Sequence, residues 1–199
     1  MNEQYVEERV AQYSEKQTLY KEFAEQILNI LKAIIKQKYP DLKVASYSAR
    51  AKEIESLRKK LRKDKYNENS EITDLAGVRI IVYSKKDISF IAGIIKESFK
   101  IDPEHSIDKT HSLGSDRVGY RGEHYVVLFG DDRLRLPESQ KFKELKCEIQ
   151  VTSLIAHTWS EITHEKGYKF EGELPKDLER RKNLLAGMLE VPLYFAPDL

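Results

Sequence analysis

Apolar residues recur at steps of three and four between residues 6 and 34. This spacing is typical of a helix with one apolar stripe, and Pro40 disfavours its continuation. We therefore predict one long helix over residues 3–38, inside an N-terminal region, 1–40, that packs its stripe on the rest of the protein. The stripe contains Val6, Val10, Tyr13, Tyr20, Phe23, Ile27, Ile30, Leu31 and Ile34.

The rest of the chain alternates short apolar runs, typical of strands, with amphipathic segments typical of helices. Strands are predicted over residues 42–50, 77–83, 123–129 and 145–151, and helices over 51–63, 87–98, 154–167 and 176–190. Residues 64–73 and 100–118 are predicted as polar connections, and residues 130–140 as a polar turn. This order predicts an α+β fold, in which a mixed central sheet is flanked by helices and preceded by the long helix.

Composition and charge narrow the choice of function only a little. The 34 basic and 33 acidic residues give a net charge of +1, so any phosphate-binding surface has to be local. The single cysteine, Cys147, permits no disulfide within the chain and suits a reducing cytoplasm. The polar N-terminus is unlike a secretory signal, and no apolar run is long enough to span a membrane.

Two carboxylates stand beside apolar strands. Asp74 precedes the predicted strand 77–83, and Glu148 lies within the predicted strand 145–151. An acid in such a place is costly unless it is paired or binds a metal, and Mg²⁺ prefers carboxylate oxygens together with substrate phosphates. Asp74 and Glu148 are therefore the best candidates for catalytic carboxylates that bind Mg²⁺. Residue types alone leave open the alternative that Asp74 caps a turn and Glu148 pairs with a lysine.

Basic residues precede and follow Asp74. Lys52, Ser56 and Lys60 are four residues apart, so on the predicted helix 51–63 they would share one face. Together with Arg50, such a face would suit a triphosphate, although a solvated helix surface is the commoner meaning of such a run. Arg79 lies in the strand after Asp74, where its guanidinium could stack on a base or pair with an acid.

Aromatic and histidine side chains complete the candidate set. Tyr120 follows a glycine in a turn, so its ring could stack on a base or pack in the fold. His124 could bind a phosphate or fix its loop. His157 and His164 share a helix face without the spacing of a zinc-binding helix, so we predict a core or supporting role for them. The chain contains no glycine-rich phosphate-loop motif of the Walker type.

Taken in order, five blocks between residues 44 and 169 resemble the synthetase domain of the RelA/SpoT family, the (p)ppGpp alarmone synthetases. The blocks are Arg50, Lys52, Ser56 and Lys60; the DLAGVR run from Asp74 to Arg79; Gly119, Tyr120 and His124; Glu148, Ile149 and Gln150; and Trp159, Glu161, His164, Tyr168 and Lys169. The resemblance assigns residues 41–170 to a synthetase domain and 171–199 to a C-terminal helix and tail. With no hydrolase region ahead of it, the chain resembles the small single-domain class.

The resemblance implies a polymerase-β-like nucleotidyltransferase fold of about five strands. It also implies transfer of pyrophosphate from ATP to the 3′-hydroxyl of GDP or GTP. In that reaction Asp74 and Glu148 would hold Mg²⁺, and Glu148 would help to deprotonate the hydroxyl. Arg50 and Arg79 would clasp the adenine, Lys52 and Lys60 would hold the ATP phosphates, Ser56, His124 and Gln150 would belong to the same nucleotide-binding set, and Tyr120 would stack on the guanine.

Three departures from the family pattern concern the acceptor. Residues 121–123 are Arg-Gly-Glu where housekeeping members carry Gln-Ser-Leu, and Thr152 and Ser153 stand in place of an arginine-threonine pair. The loop before Gly119 also lacks their proline-lysine pattern. These changes resemble the toxin-like branch, some of whose members pyrophosphorylate the 3′ end of tRNA.

Three hypotheses therefore remain open. The first is a synthetase acting on GDP or GTP, and the second is a toxin-like enzyme acting on tRNA 3′ ends. The third is a degenerate nucleotide-binding or interaction module, which Thr152 supports and the intact Asp74 and Glu148 oppose. The predicted partners are ATP and the acceptor, with a homo-oligomer or an antitoxin as candidate protein partners and no membrane.

Overall fold

A computed structural model describes residues 3–63, 70–106 and 122–167, together with the four helical positions 180, 181, 184 and 188. The long N-terminal helix is confirmed as α1, Glu3–Lys38. The other helices are α2, Ile54–Leu61; α3, Lys85–Ser98; α4, Asp131–Leu134; and α5, Leu154–Gly167; a 3₁₀ helix spans Pro137–Phe142. The strands are β1, Val44–Ala51; β2, Ala76–Val82; β3, Lys100–Ile101; β4, Glu123–Leu128; and β5, Cys147–Ser153.

The five strands form one mixed sheet in the order β1-β2-β5-β4-β3. Strands β2 and β5 are parallel, and the other neighbouring pairs are antiparallel. The predicted α+β class, with helices flanking a mixed sheet of about five strands, is confirmed. Because β2 and β5 run in the same direction, their N-terminal ends lie at the same edge of the sheet.

The two faces of the sheet differ in chemistry. Along β5, the buried residues Cys147, Ile149 and Val151 alternate with the half-buried residues Glu148, Gln150 and Thr152. The apolar face packs beneath α1 and α3 in the main core, which includes Phe23, Ile27 and Leu31 of α1 and Ile91 and Ile95 of α3. This period of two sends every second side chain of β5 to the opposite, polar face.

A smaller core holds α2 beside the N-terminal half of α1. It contains Val6, Val10 and Tyr13 of α1, Leu57 and Leu61 of α2, and Ile72. The Tyr13 hydroxyl donates a hydrogen bond of 2.6 Å to the carbonyl of Lys52, and the Gln17 amide donates one of 3.1 Å to the same oxygen. The long helix therefore fixes both α2 and the residues that lead into it.

Three details of the predicted elements are wrong. Helix α2 begins at Ile54, not at residue 51, because Lys52 still pairs through its backbone N–H with the Leu75 carbonyl at 2.9 Å. The predicted turn over 130–140 contains α4 and the start of the 3₁₀ helix. The predicted connection 100–118 begins with the two-residue strand β3.

Some predictions fall beyond the described residues. Of the predicted helix 176–190, only the four positions given above are described, and these are helical. The division at residues 40 and 170 stays a prediction. None of the helices in the described ranges is both long and apolar enough to cross a bilayer.

Candidate active site

The two predicted catalytic carboxylates meet at one edge of the sheet. Glu148 is the second residue of β5 and pairs with Gly77 of β2, while Asp74 lies two residues before β2 begins. Both acids line one open cleft. The other residues that line it are Ser48, Arg50, Lys52, Gly77, Val78, Arg79 and Gln150. The parallel pairing of β2 with β5 therefore brings together acids that are 74 residues apart in sequence.

Asp74 is held by two lysines and keeps one oxygen unused. Its Oδ2 lies 2.7 Å from Lys52 Nζ and 2.8 Å from Lys60 Nζ. Burial by itself would raise the pKa of Asp74, but hydrogen bonds from Lys52 and Lys60 outweigh burial and lower the pKa below its usual value. Its Oδ1 is buried and has no hydrogen-bond partner within the described part of the chain. Asp74 is therefore ionised at neutral pH and has an oxygen ready for a ligand.

Glu148 is also ionised, through different partners. Its Oε1 lies 3.2 Å from His124 Nδ1, and its Oε2 accepts a hydrogen bond of 2.8 Å from the Gln150 amide. Burial and the negative charge of Asp74 both act to raise the pKa of Glu148. Contacts with His124 and Gln150 outweigh them, so the pKa of Glu148 lies below its usual value. The charge of Asp74 acts on Glu148 because both acids face the same cleft.

This pair of acids fits a divalent cation. Magnesium is bound in proteins through one or two carboxylates and completes its shell with water and phosphate oxygens. The unpartnered Oδ1 of Asp74 and the half-buried carboxylate of Glu148 supply such oxygens in one cleft. A cation between them would also relieve their mutual repulsion.

Arginine side chains line the wall of the same cleft. Arg79 Nε donates a hydrogen bond of 3.2 Å to Gln150 Oε1, and its Nη1 lies 3.7 Å from Glu161 of α5. Gln150 therefore bridges Arg79 to Glu148. Arg50 is exposed on β1 and pairs with Gly77, so two guanidinium groups stand on neighbouring strands. Each of the two can present a planar cation to a base or a phosphate.

The predicted shared helix face of Lys52, Ser56 and Lys60 is wrong in its geometry. Lys52 lies before α2, and Ser56 is an exposed residue of α2 that does not line the cleft. Lys52 and Lys60 nevertheless converge, because both ammonium groups bind the same oxygen of Asp74. The alternative that Glu148 pairs with a lysine is wrong, since its partners are His124 and Gln150.

The remaining predicted residues divide between the site and the undescribed segment. His124 lies on β4 opposite Gln150 and reaches Glu148. His157 lies 3.9 Å from Glu161, the exposed partner of Arg79, which agrees with a supporting role. Tyr120 and Arg121 lie outside the described residues, as does the side chain of His164.

Sequence reasoning missed several residues. Ser48 and Gly77 line the cleft, and the alternation of β1 and β2 could have indicated both. Gly122 lies against β5, where an added Cβ atom would overlap the Val151 carbonyl and stand 2.9 Å from the Thr152 Cβ. Two of the departures from the family pattern, at Gly122 and Thr152, are therefore in contact, which sequence spacing alone does not reveal.

Comparisons with known proteins agree with this architecture. The family model described as the region found in RelA / SpoT proteins matches residues 49–173. Among curated proteins, the GTP pyrophosphokinase YjbM of Bacillus subtilis (strain 168) is 26% identical over 138 residues, which is 67% of this chain and 61% of YjbM. The GTP pyrophosphokinase YwaC of the same organism is 27% identical over 109 residues, or 54% of this chain and 48% of YwaC. The matches therefore span about half to three fifths of these two relatives.

Solved structures agree at the level of the fold. The crystal structure of the small alarmone synthetase 1 from Bacillus subtilis superposes with a TM-score of 0.74 at 21% identity, covering 94% of this chain and 95% of that protein. The same synthetase bound to its product pppGpp gives 0.71 at 23% identity over 91% and 92% of the two chains. Since the family model covers well over half of the sequence, the chain belongs to the RelA/SpoT family.

Proposed function

We propose that this protein transfers pyrophosphate from ATP to the 3′-hydroxyl of GDP or GTP and so makes (p)ppGpp. The observation that carries the proposal is the cleft in which Asp74 keeps a buried, unpartnered oxygen beside Glu148. Further support comes from the curated relatives, which are named GTP pyrophosphokinases. Similar structures hold pppGpp in one case and AMPCPP in another.

Asp74 and Glu148 are the residues that would hold Mg²⁺. Bound there, the cation neutralises charge on the transferred phosphates, which phosphoryl-type transfer requires more than covalent help. Lys52 and Lys60 already lie within 2.8 Å of Asp74, so their ammonium groups border the same space. Each carries further N–H donors that can bind phosphate oxygens without leaving the carboxylate.

Glu148 would accept the proton of the attacking hydroxyl. Its lowered pKa keeps it ionised at neutral pH, and His124 and Gln150 hold its orientation. In the reaction, a bond forms between the 3′-oxygen of the acceptor and the β-phosphorus of ATP. The bond from that phosphorus to the oxygen bridging it to the α-phosphorus breaks, and AMP leaves.

The two arginines of the cleft would bind the adenine. Arg79 is oriented by Gln150, and Arg50 is exposed on the neighbouring strand, so their planar groups can stack on a base. On the acceptor side, we propose that Tyr120 stacks on the guanine. We also propose that Ser56 contributes to ATP binding, although its side chain does not line the cleft.

A reducing cytoplasm suits the single buried thiol of Cys147.

A labelled-ATP assay tests this function. Purified protein is incubated with γ-labelled ATP, Mg²⁺ and, separately, GDP, GTP and tRNA, with Asp74→Asn and Glu148→Gln as variants. We expect labelled (p)ppGpp from the wild type and a loss of about 10³-fold in each variant. Glu138→Gln, in the exposed part of the 3₁₀ helix, is the matched control and retains full activity. Retained product in either active-site variant would remove that acid from the mechanism.

The contact between Gly122 and Thr152 favours tRNA as the second candidate acceptor. The pair puts glycine and threonine where the housekeeping pattern has serine and arginine, so the cationic contact that the resemblance implies at position 152 is absent. Label in tRNA, but not in GDP or GTP, would establish this alternative. Nucleotide-dependent thermal stabilisation without any turnover would instead indicate a degenerate binding module. An oligomer and an antitoxin partner stay predictions.

A further inference from the structure

A second cluster of charged side chains lies outside the cleft. Lys146 Nζ is 2.5 Å from Glu71 Oε2 and 2.6 Å from Asp102 Oδ2. His105 Nδ1 is 2.9 Å from the same Asp102 oxygen, and His105 Nε2 is 4.0 Å from Glu71. One ammonium group is therefore shared by two carboxylates, with an imidazole beside them. Neither the catalytic proposal nor the family blocks use any of these four residues.

The cluster joins three segments of the chain. Glu71 lies three residues before Asp74, in the extended segment that leads into β2. Lys146 lies just before β5, two residues before Glu148. Asp102 follows β3 and is tied to β4 through its N–H, which donates to the Val126 carbonyl at 2.8 Å. Lys146 thus connects the two segments that carry the cleft carboxylates, and it connects both to the sheet.

Burial distinguishes the pair of Lys146 and Asp102 from an ordinary surface ion pair. The side chain of Asp102 is 10% exposed and that of Lys146 is 20% exposed, whereas that of Glu71 is 49% exposed. The other oxygen of Asp102 accepts hydrogen bonds of 3.0 Å and 3.3 Å from the N–H groups of Glu104 and His105. Both oxygens of Asp102 are therefore satisfied, as a buried carboxylate requires, and such an arrangement holds its partners in one geometry.

A metal ion is the other occupant that this cluster suggests. The ligand atoms of Glu71, Asp102 and His105 all lie within 4.8 Å of one another, a composition that could hold a divalent cation. However, Lys146 already places its positive charge within 2.6 Å of both carboxylates. A metal ion would have to displace that ammonium group, so the cation of this cluster is the lysine itself.

The segment that carries Asp74 needs such support. The ladder between β2 and β5 begins at the pair of Ala76 and Cys147, so residues 70–75 lie ahead of it. On one side, the Leu75 carbonyl accepts the N–H of Lys52 at 2.9 Å. On the other side, Glu71 binds Lys146. The segment that carries Asp74 is thus held at both ends, at Glu71 by Lys146 and at Leu75 by Lys52.

We propose that Lys146 is a positioning residue, whose ammonium group holds the Asp74 segment and the start of β5 in register so that Asp74 and Glu148 face each other across the cleft. The proposal rests on the function proposed above only for its catalytic consequence. A misplacement of about 1 Å in a reacting group can cost about 10²-fold in rate. Loosening this contact therefore affects turnover more than nucleotide affinity, because Lys146 does not line the cleft.

The test compares three variants in the full chain. Lys146→Met keeps an unbranched side chain that is one atom shorter and removes its charge, and Lys146→Arg restores a cation. Lys141→Met is the matched control, since Lys141 pairs with Glu22 in an exposed salt bridge and neither residue lines the cleft. For each protein, kcat and the KM for ATP are measured well below the unfolding temperature, and amide hydrogen exchange is followed over residues 70–76 and 144–150.

We expect Lys146→Met to lower kcat about 10- to 100-fold and to change the KM for ATP less than about threefold. Amide exchange over both segments becomes faster. Lys146→Arg recovers most of the turnover and protection, and Lys141→Met resembles the wild type. Unchanged exchange in folded Lys146→Met overturns the proposal, and so does unchanged kcat in an active enzyme. If the wild type makes no product but exchange responds as expected, the positioning role stands and the proposed function fails.

Discussion

Two lysine–carboxylate clusters involve the segment that carries Asp74. The cleft cluster has two lysines for one carboxylate, and the outer cluster around Lys146 has one lysine for two carboxylates. In the cleft, two ammonium groups share one carboxylate oxygen, and the second oxygen of Asp74 has no partner within the described residues. In the outer cluster, one ammonium group is shared by two carboxylates, and both oxygens of Asp102 are satisfied. The cleft is incompletely paired, whereas the outer cluster is closed on itself.

This difference indicates that the cleft cluster binds a ligand, whereas the outer cluster stabilises the fold around it. A buried polar atom without a partner costs free energy in the folded protein, and such costs are typical of sites that await a ligand. A fully bonded cluster instead lowers the free energy of the folded state and fixes local geometry. We therefore expect removal of charge in the cleft to affect turnover first, and removal of charge in the outer cluster to affect stability first.

The largest expected effect on stability is that of Asp102→Asn. Burial would raise the pKa of Asp102, but hydrogen bonds from Lys146 and His105 outweigh it and lower the pKa to about 2. A folded-state pKa below the unfolded value of about 3.9 stabilises the fold at neutral pH by about 2 kcal/mol. The contribution is complete above about pH 4 and is lost as pH falls through about 2. Asp102→Asn should therefore lower the free energy of unfolding at pH 7, and its difference from the wild type should shrink at pH 2.5. Urea unfolding of the wild type and of Asp102→Asn at pH 7, 4 and 2.5 measures this difference.

The comparison variant is Asp74→Asn. Asp74 repels Glu148 and buries one unbonded oxygen, so its replacement costs less stability than that of Asp102 although it lowers turnover about 10³-fold. An equal loss of stability in both variants at pH 7 would contradict the distinction between an open and a closed cluster. A difference between Asp102→Asn and the wild type that persists unchanged at pH 2.5 would show that the effect is not electrostatic.

Much of the fold and part of the site follow from sequence patterns. The apolar stripe from Val6 to Ile34 predicts α1, because its period is that of a helix over about eight turns. The alternation of Cys147, Ile149 and Val151 with polar residues predicts β5 and the face that Glu148 occupies. Strand β3 escaped prediction because two residues show no period.

The relations between distant segments could not be predicted in the same way. Lys52 appeared to belong to a helix, since its spacing from Lys60 fits one, but its N–H bonds to Leu75 and keeps it outside α2. The outer cluster joins residues 71, 102, 105 and 146, none of which forms a motif with another. The pairing of β2 with β5 brings residues 71 and 146 together, and the pairings of β3 with β4 and of β4 with β5 bring residues 102 and 105 to them. Such strand pairing depends on tertiary packing.

A smaller effect is expected at Gln150, which links the cleft acid to the cleft arginine. Gln150→Leu removes a donor from Glu148 and the acceptor of Arg79. We expect kcat to fall about tenfold and the KM for ATP to rise about threefold, as for the loss of two modest hydrogen bonds. Gln150→Glu keeps an acceptor for Arg79 but adds negative charge beside Glu148, so kcat should fall while the KM for ATP stays near that of the wild type.

The matched control for Gln150 is Gln140→Leu. Gln140 is an exposed residue of the 3₁₀ helix and does not line the cleft. Its replacement should leave both kinetic constants unchanged. If Gln150→Leu and Gln150→Glu changed the KM for ATP equally, the contact between Gln150 and Arg79 would have no part in nucleotide binding.

The smallest effect is expected at Lys38, whose salt bridge resembles that of Lys146 in length only. Lys38 Nζ lies 2.6 Å from Glu97, the same distance that separates Lys146 from Asp102. The side chains of Lys38 and Glu97 are, however, 50% and 66% exposed. Water screens such a pair, so Lys38→Met should leave the midpoint of urea unfolding within error of the wild type. The same measurement on Lys146→Met should show a clear decrease. Equal midpoints for the two variants would mean that burial does not make the Lys146 contact stronger than the Lys38 contact. The proposal that Lys146 positions Asp74 and Glu148 would then lack its energetic basis.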